Sequence, residues 1–137
     1  MATDLPHGYR PLDEEPFMNE RQREYFRRKL VAWKEDILRE SRETIQNLQS
    51  EPTPNADLAD RATTEAERQL ELRTRDRERK LLKKISQSLG RIESGEYGFC
   101  DETGEPIGLG RLIARPTATL SLEAQQRREL KQKMFGD

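Results

Sequence analysis

The chain has 137 residues, with 25 basic and 26 acidic side chains and a net charge of −1, a balance that argues against a simple polyanion binder and against plain disorder. Apolar residues make up 32% and charged residues 37%, whereas a typical globular domain carries roughly 45–50% and 25%. So few apolar residues argue against one core burying the whole chain, and the single Cys excludes an internal disulfide.

Residues 1–18 form an irregular head with Pro6, Pro11 and Pro16. Its Leu5, Tyr9, Leu12 and Phe17 give it reason to dock on a small base rather than float. The start, MATDLPHGYR, has no apolar run of the kind a signal peptide needs. No stretch approaches the roughly 18 apolar residues of a membrane span, so the expectation is a soluble cytoplasmic protein.

A first helix begins near Asn19, a suitable cap, with Gln22 three residues on completing a capping-box pattern. Phe26, Leu30, Trp33, Ile37, Ser41, Thr44 and Leu48 recur at steps of 3 and 4, one stripe on a helix. Pro52 and Pro54 forbid its continuation. A second helix starts near Asp57 or Leu58 and ends at Gly95, with a matching stripe of Ala59, Ala62, Ala66, Leu70, Thr74, Leu81, Ile85, Leu89 and Ile92. At 1.5 Å per residue the two would be roughly 46 and 52 Å long. Such matched lengths predict an antiparallel coiled-coil hairpin over 19–94, with its tip at about 50–62, and self-association through the same seam is the competing arrangement.

Charge is segregated along this hairpin. From Glu51 to Glu67 five acids face one base, net −4; from Arg73 to Lys84 seven bases face two acids, net +5. Solvated flanks with intrahelical pairs such as Asp76 with Lys80 account for single residues, but not for an acidic tip on a basic shaft.

From Gly95 the pattern changes. GEYGFCDETGEPIGLGRLIARPTATL carries five glycines and two prolines and reads as tight turns and short strands. A last helix, about Ser121 to Met134, offers Leu122, Leu130 and Met134 as contacts to this knuckle. The fold class expected is mainly α: a long antiparallel coiled-coil hairpin on a small base (95–137) with a turn and strand knuckle and a C-terminal helix.

FRRKLVAW in the first helix, DLADRAT at the tip, ELRTRDRERKLLKKI on the second helix, and ESGEYGFC with IGLGRLIARPTATL in the base together resemble the DksA/TraR family of bacterial RNA polymerase-binding transcription factors. The resemblance implies that the hairpin enters the polymerase secondary channel. There it destabilises open promoter complexes and acts with the alarmone ppGpp in the stringent response, repressing rRNA-type and activating amino-acid-type promoters. It assigns Asp57, Asp60 and Ala62 to the tip at the polymerase active centre and Arg77 to polymerase contact. Leu81, Lys84 and Arg115 fall at the ppGpp site between factor and polymerase. A monomer is implied, without sequence-specific DNA binding and without a membrane partner.

The chain departs from the family pattern in its base. The four-cysteine zinc positions read Cys100, Thr103, Ser121 and Ala124. A structural zinc needs four Cys or His donors, and the only His is His7 in the head. The expectation is a zinc-finger-like base without metal, and no cofactor beyond ppGpp as effector. Cys100 then reads as a small structural residue, with an oxidant-sensing thiol as the sharper alternative. Gln125 replaces the last basic ppGpp contact, with Arg127 and Arg128 close by on the same helix.

No Ser/His/Asp or Cys/His set and no phosphate loop is present, and acids on an exposed turn have no pocket to shift their pKa, so an enzyme is not expected. A secondary-channel factor that stimulates transcript cleavage is the nearest alternative. A nucleic-acid binder using Arg73 to Lys84 is less favoured, because the run lacks interleaved aromatics and is split by Asp76 and Glu78.

Overall fold

The structure is a computed structural model that describes residues 4–50 and 58–135, without the side chains of 47–50 and 58–60. Four helices follow one another: α1 (Glu20–Ser50), α2 (Leu58–Ser94), α3 (Leu109–Ala114) and α4 (Leu122–Phe135). The fold is mainly helical, and α1 and α2 pack together. Two compact units divide the chain: residues up to Val31 with those from Ile85 onward, and Ala32–Lys84.

The first unit holds the core. Phe26 and Leu30 of α1 and Ile85 of α2 are fully buried, with Ile92, Tyr97, Ile107, Leu109, Leu112 and Leu120 around them. The Phe26 and Tyr97 rings lie 5.6 Å apart. The Tyr97 hydroxyl donates to the Pro116 carbonyl at 2.8 Å, so a deeply buried phenol keeps its partner.

The head is fixed to this core by aromatic contacts and one amide. Phe17 meets Phe99 edge-on at 5.6 Å and Tyr9 meets Tyr25 at 6.2 Å. The Gln22 side chain is fully buried. Its Oε1 accepts the Met18 N–H at 2.8 Å and its Nε2 donates to the Leu12 carbonyl at 3.2 Å. Asn19 Oδ1 accepts the Gln22 N–H at 2.9 Å, the cap the sequence suggests. Gln22 reaches back one residue further than a capping box does, to Met18 instead of Asn19.

Two expectations for the base need correction. The span after Gly95 contains no strand among the described residues, only an isolated bridge between Phe99 and Pro106 and the short helix α3. Positive φ at Gly95, Gly98, Gly104 and Gly108 turns the chain too often for a ladder to form. Leu122, Leu130 and Met134 of α4 are not packing contacts: they are 56%, 58% and 70% exposed. Ala124 is the residue of α4 that is buried.

In the second unit the α2 stripe read from the sequence packs only in part, with Leu81 half-buried. Ala62, Ala66, Leu70 and Thr74 are exposed. The half-buried positions are Thr64, Glu71, Arg75, Asp76, Glu78, Leu81 and Leu82. Leu81 and Leu82 are half-buried alike, so the packing face runs from Ile85 back to both.

Candidate polymerase-contact surface

The tip residue Asp57 lies outside the described residues, as does the side chain of Asp60, whose backbone belongs to α2. Ala62 is exposed one half-turn further on. Along the shaft, Arg77, Leu81 and Lys84 follow at steps of 4 and 3 and so share a face of α2. Arg77 and Lys84 are exposed, and Leu81 is half-buried. Arg115 belongs to the other unit, at the C-cap of α3, where its N–H donates to the Arg111 carbonyl at 2.7 Å and its side chain is exposed.

The shaft cations fall into two sets. On one flank Asp76 takes ion pairs from Arg79 and from Lys80, the latter at 3.2 Å. The hydrogen bonds from Lys80 and Arg79 hold the Asp76 carboxyl below the usual carboxylate range. Beside them Arg73, Arg77 and Lys84 have no ion pair among the described residues, although Arg73 and Arg77 line one groove with Asp76 and Lys80. Paired cations are locally neutralised, whereas unpaired ones leave an attractive field for an acidic partner. Sequence counting gave the net charge of the shaft but not this division.

Inside the shaft, charge sits where a coiled coil usually places apolar residues. Glu71 and Glu78 each keep one buried carboxylate oxygen without a hydrogen-bond partner. Ser41 of α1 and Arg75, Glu78 and Leu82 of α2 line one cleft there. Apolar spacing does not mark this seam, because its half-buried positions Glu71, Arg75 and Glu78 are charged.

At the base, the four positions corresponding to zinc ligands form a closed hydrogen-bonded turn. Cys100 is buried. Burial pushes its thiol up, but the Ser121 N–H, the Thr103 hydroxyl and N–H, and the Glu102 N–H outweigh it and bring it down to about 6. Thr103 Oγ1 accepts the Glu105 N–H and Ser121 Oγ accepts the Ala124 N–H, each at 3.2 Å. The fully buried Ala124 methyl fills the fourth place. One sulfur, two engaged hydroxyls and a methyl do not fit a structural zinc. Gln125, at the replaced basic contact, donates to Glu129 at 2.9 Å. On the same helix Arg128 pairs with Glu102 at 2.8 Å, and Arg127 lies in the adjoining groove. No helix among the described residues is long and apolar enough to cross a membrane.

Known proteins match over nearly this whole length. The family model described as DnaK suppressor protein DksA, N-terminal domain, matches residues 22–92, and the prokaryotic dksA/traR C4-type zinc finger matches residues 95–130. A protein of Caulobacter vibrioides called RNA polymerase-binding transcription factor DksA is 64% identical over 129 residues, covering 94% of this chain and 91% of that one. The protein of the same name from Escherichia coli K12 is 43% identical over 132 residues, 94% of this chain and 87% of its own. The solved structure of transcription factor DksA2 from Pseudomonas aeruginosa aligns with a TM-score of 0.77 at 43% identity, over 85% of this chain and 90% of that one.

Proposed function

The chain belongs to the DksA family, and from that premise we propose that it is a transcription regulator that works by binding RNA polymerase. The observation that carries the proposal is the 64% identity to a DksA over 94% of the chain. The protein acts in the cytoplasm as a monomer and without catalysis of its own. The α1–α2 hairpin enters the secondary channel of the polymerase and brings Asp57 and Asp60 to the active centre, with Ala62 keeping the tip slim. An acidic tip suits a metal-bearing active centre, and an unpaired cationic flank suits acidic polymerase walls.

Arg77 contacts the polymerase. Leu81, Lys84 and Arg115 take ppGpp at the interface, and the effector favours release of open complexes at rRNA-type promoters and activation at amino-acid-type ones. With Gln125 in place of a cation, ppGpp binding is weaker by about 1 kcal/mol than in a member with three basic contacts. The base carries no zinc, because its donors are one buried thiol and two hydroxyls already engaged.

In vitro transcription tests this. On an rRNA-type and an amino-acid-type promoter, with and without ppGpp, the protein represses the first and activates the second. Asp60→Asn is expected to bind polymerase as wild type does and to lose regulation by at least about tenfold, about 1.4 kcal/mol of differential action. Undiminished regulation by that variant rules out the tip. Stimulated cleavage of backtracked RNA in stalled complexes assigns the protein to the cleavage-factor class instead.

A further inference from the structure

Leu70, Arg73, Arg77, Leu81 and Lys84 follow one another along α2 at steps of 3, 4, 4 and 3, so they form one strip. Acids border it without pairing its cations: Asp76 lies three residues after Arg73 and lines one groove with Arg73, Arg77 and Lys80, and Glu67 lies three residues before Leu70. Leu70 is 62% exposed. Its helix puts carboxylates into the seam at Glu71 and Glu78 and a large leucine into solvent, the reverse of what packing against α1 alone would favour. An exposed apolar residue flanked by unpaired cations is the composition of a binding anchor.

We infer that Leu70 is the apolar anchor of the shaft's docking strip, seated in an apolar socket of an acidic RNA polymerase surface, with Arg73 beside it as a second, electrostatic determinant. The inference rests on the polymerase reading above and extends it to two residues that nothing so far assigns. Charge selects the occupant. A second copy of this chain packing strip to strip about a two-fold axis would set Arg73, Arg77 and Lys84 against the same three cations, which repel. An acidic surface neutralises them and lets the leucine desolvate.

Leu130 supplies the control. It is 58% exposed on α4 and belongs to the other unit, whereas the exposed Leu72 lines one groove with Arg73 and Arg77 of the strip itself. The full-length protein is titrated onto RNA polymerase at about 0.1 M salt. Leu70→Ala is expected to raise Kd about tenfold, while Leu130→Ala stays within about twofold. Arg73→Ala is expected to lose affinity mainly at low salt. Helix content and Tm are unchanged in all three, since none of these side chains is buried. Wild-type affinity in Leu70→Ala, or equal losses in both leucine variants, overturns the anchor while leaving polymerase binding intact. Absence of wild-type binding instead overturns the polymerase reading itself. A wild-type dimer in sedimentation that Leu70→Ala dissolves transfers the strip to a second copy and overturns the polymerase as its occupant.

Discussion

Gly98 and Met18 meet where the head closes on the base, and both have positive φ, +91° and +56°. A Cβ on Gly98 would lie 2.8 Å from Met18 Cγ and 3.3 Å from Phe17 Cε2. Gly98→Ala therefore strains the backbone and pushes against the head at once. It is expected to cost about 1–3 kcal/mol in chemical denaturation, and an unchanged midpoint would show that the head is not held there. Glu24 makes a second residue-scale case. Hydrogen bonding from Arg27 holds its carboxyl below the ordinary value of 4.5, burial opposes this, and Arg28 adds to the lowering. A depressed folded-state pKa gives stability that is present above 4.5 and disappears as pH falls through the folded value. The Tm gap between wild type and Glu24→Gln should accordingly narrow between about pH 6 and pH 3. A gap constant across that range would remove the charge from the account.

Within α2, the same sequence serves a packed end and a polar end. Ile85 and Ile92 are buried where they meet the Phe26 and Leu30 region, whereas the inward positions further out are Glu71, Arg75 and Glu78. A buried carboxylate oxygen without a partner costs about 1–3 kcal/mol relative to a satisfied one. The shaft seam is therefore the weaker part of the helix pair, and local opening starts there. Replacing Glu78 with Leu is expected to stabilise the seam by about 1 kcal/mol. Hydrogen exchange reads that as roughly fivefold slower amide exchange around residues 75–82; faster exchange would mean that Glu78 has a partner in solution. The pattern of steps made this helix legible end to end, from the prolines before it to Gly95 after it. The polar part of the packing face was not legible, since apolar spacing does not mark Glu71, Arg75 and Glu78.

For the molecule as a whole, the base is the part that departs from the family pattern, and its integrity can be tested directly. Held by Phe26, Ile85, Tyr97 and Leu112 and by the turn around Cys100, it should be indifferent to chelation. Incubation with EDTA is expected to leave Tm within about 1 °C, and elemental analysis to find well under one zinc per chain. A drop of several degrees, or stoichiometric zinc, would restore a metal to the base.

By itself the sequence determined the helices, the cap at Asn19, the segregation of charge and the single cysteine. Each is a local property: propensity, proline chemistry, spacing or side-chain identity. Tertiary structure alone decided which face of α2 is inward, which shaft cations are paired, how Gln22 and Phe17 fasten the head, and that the leucines and methionine of α4 face solvent. Those depend on contacts between residues distant in the chain. Where charged side chains such as Glu71 and Glu78 turn into a seam, only the neighbouring helix reveals it.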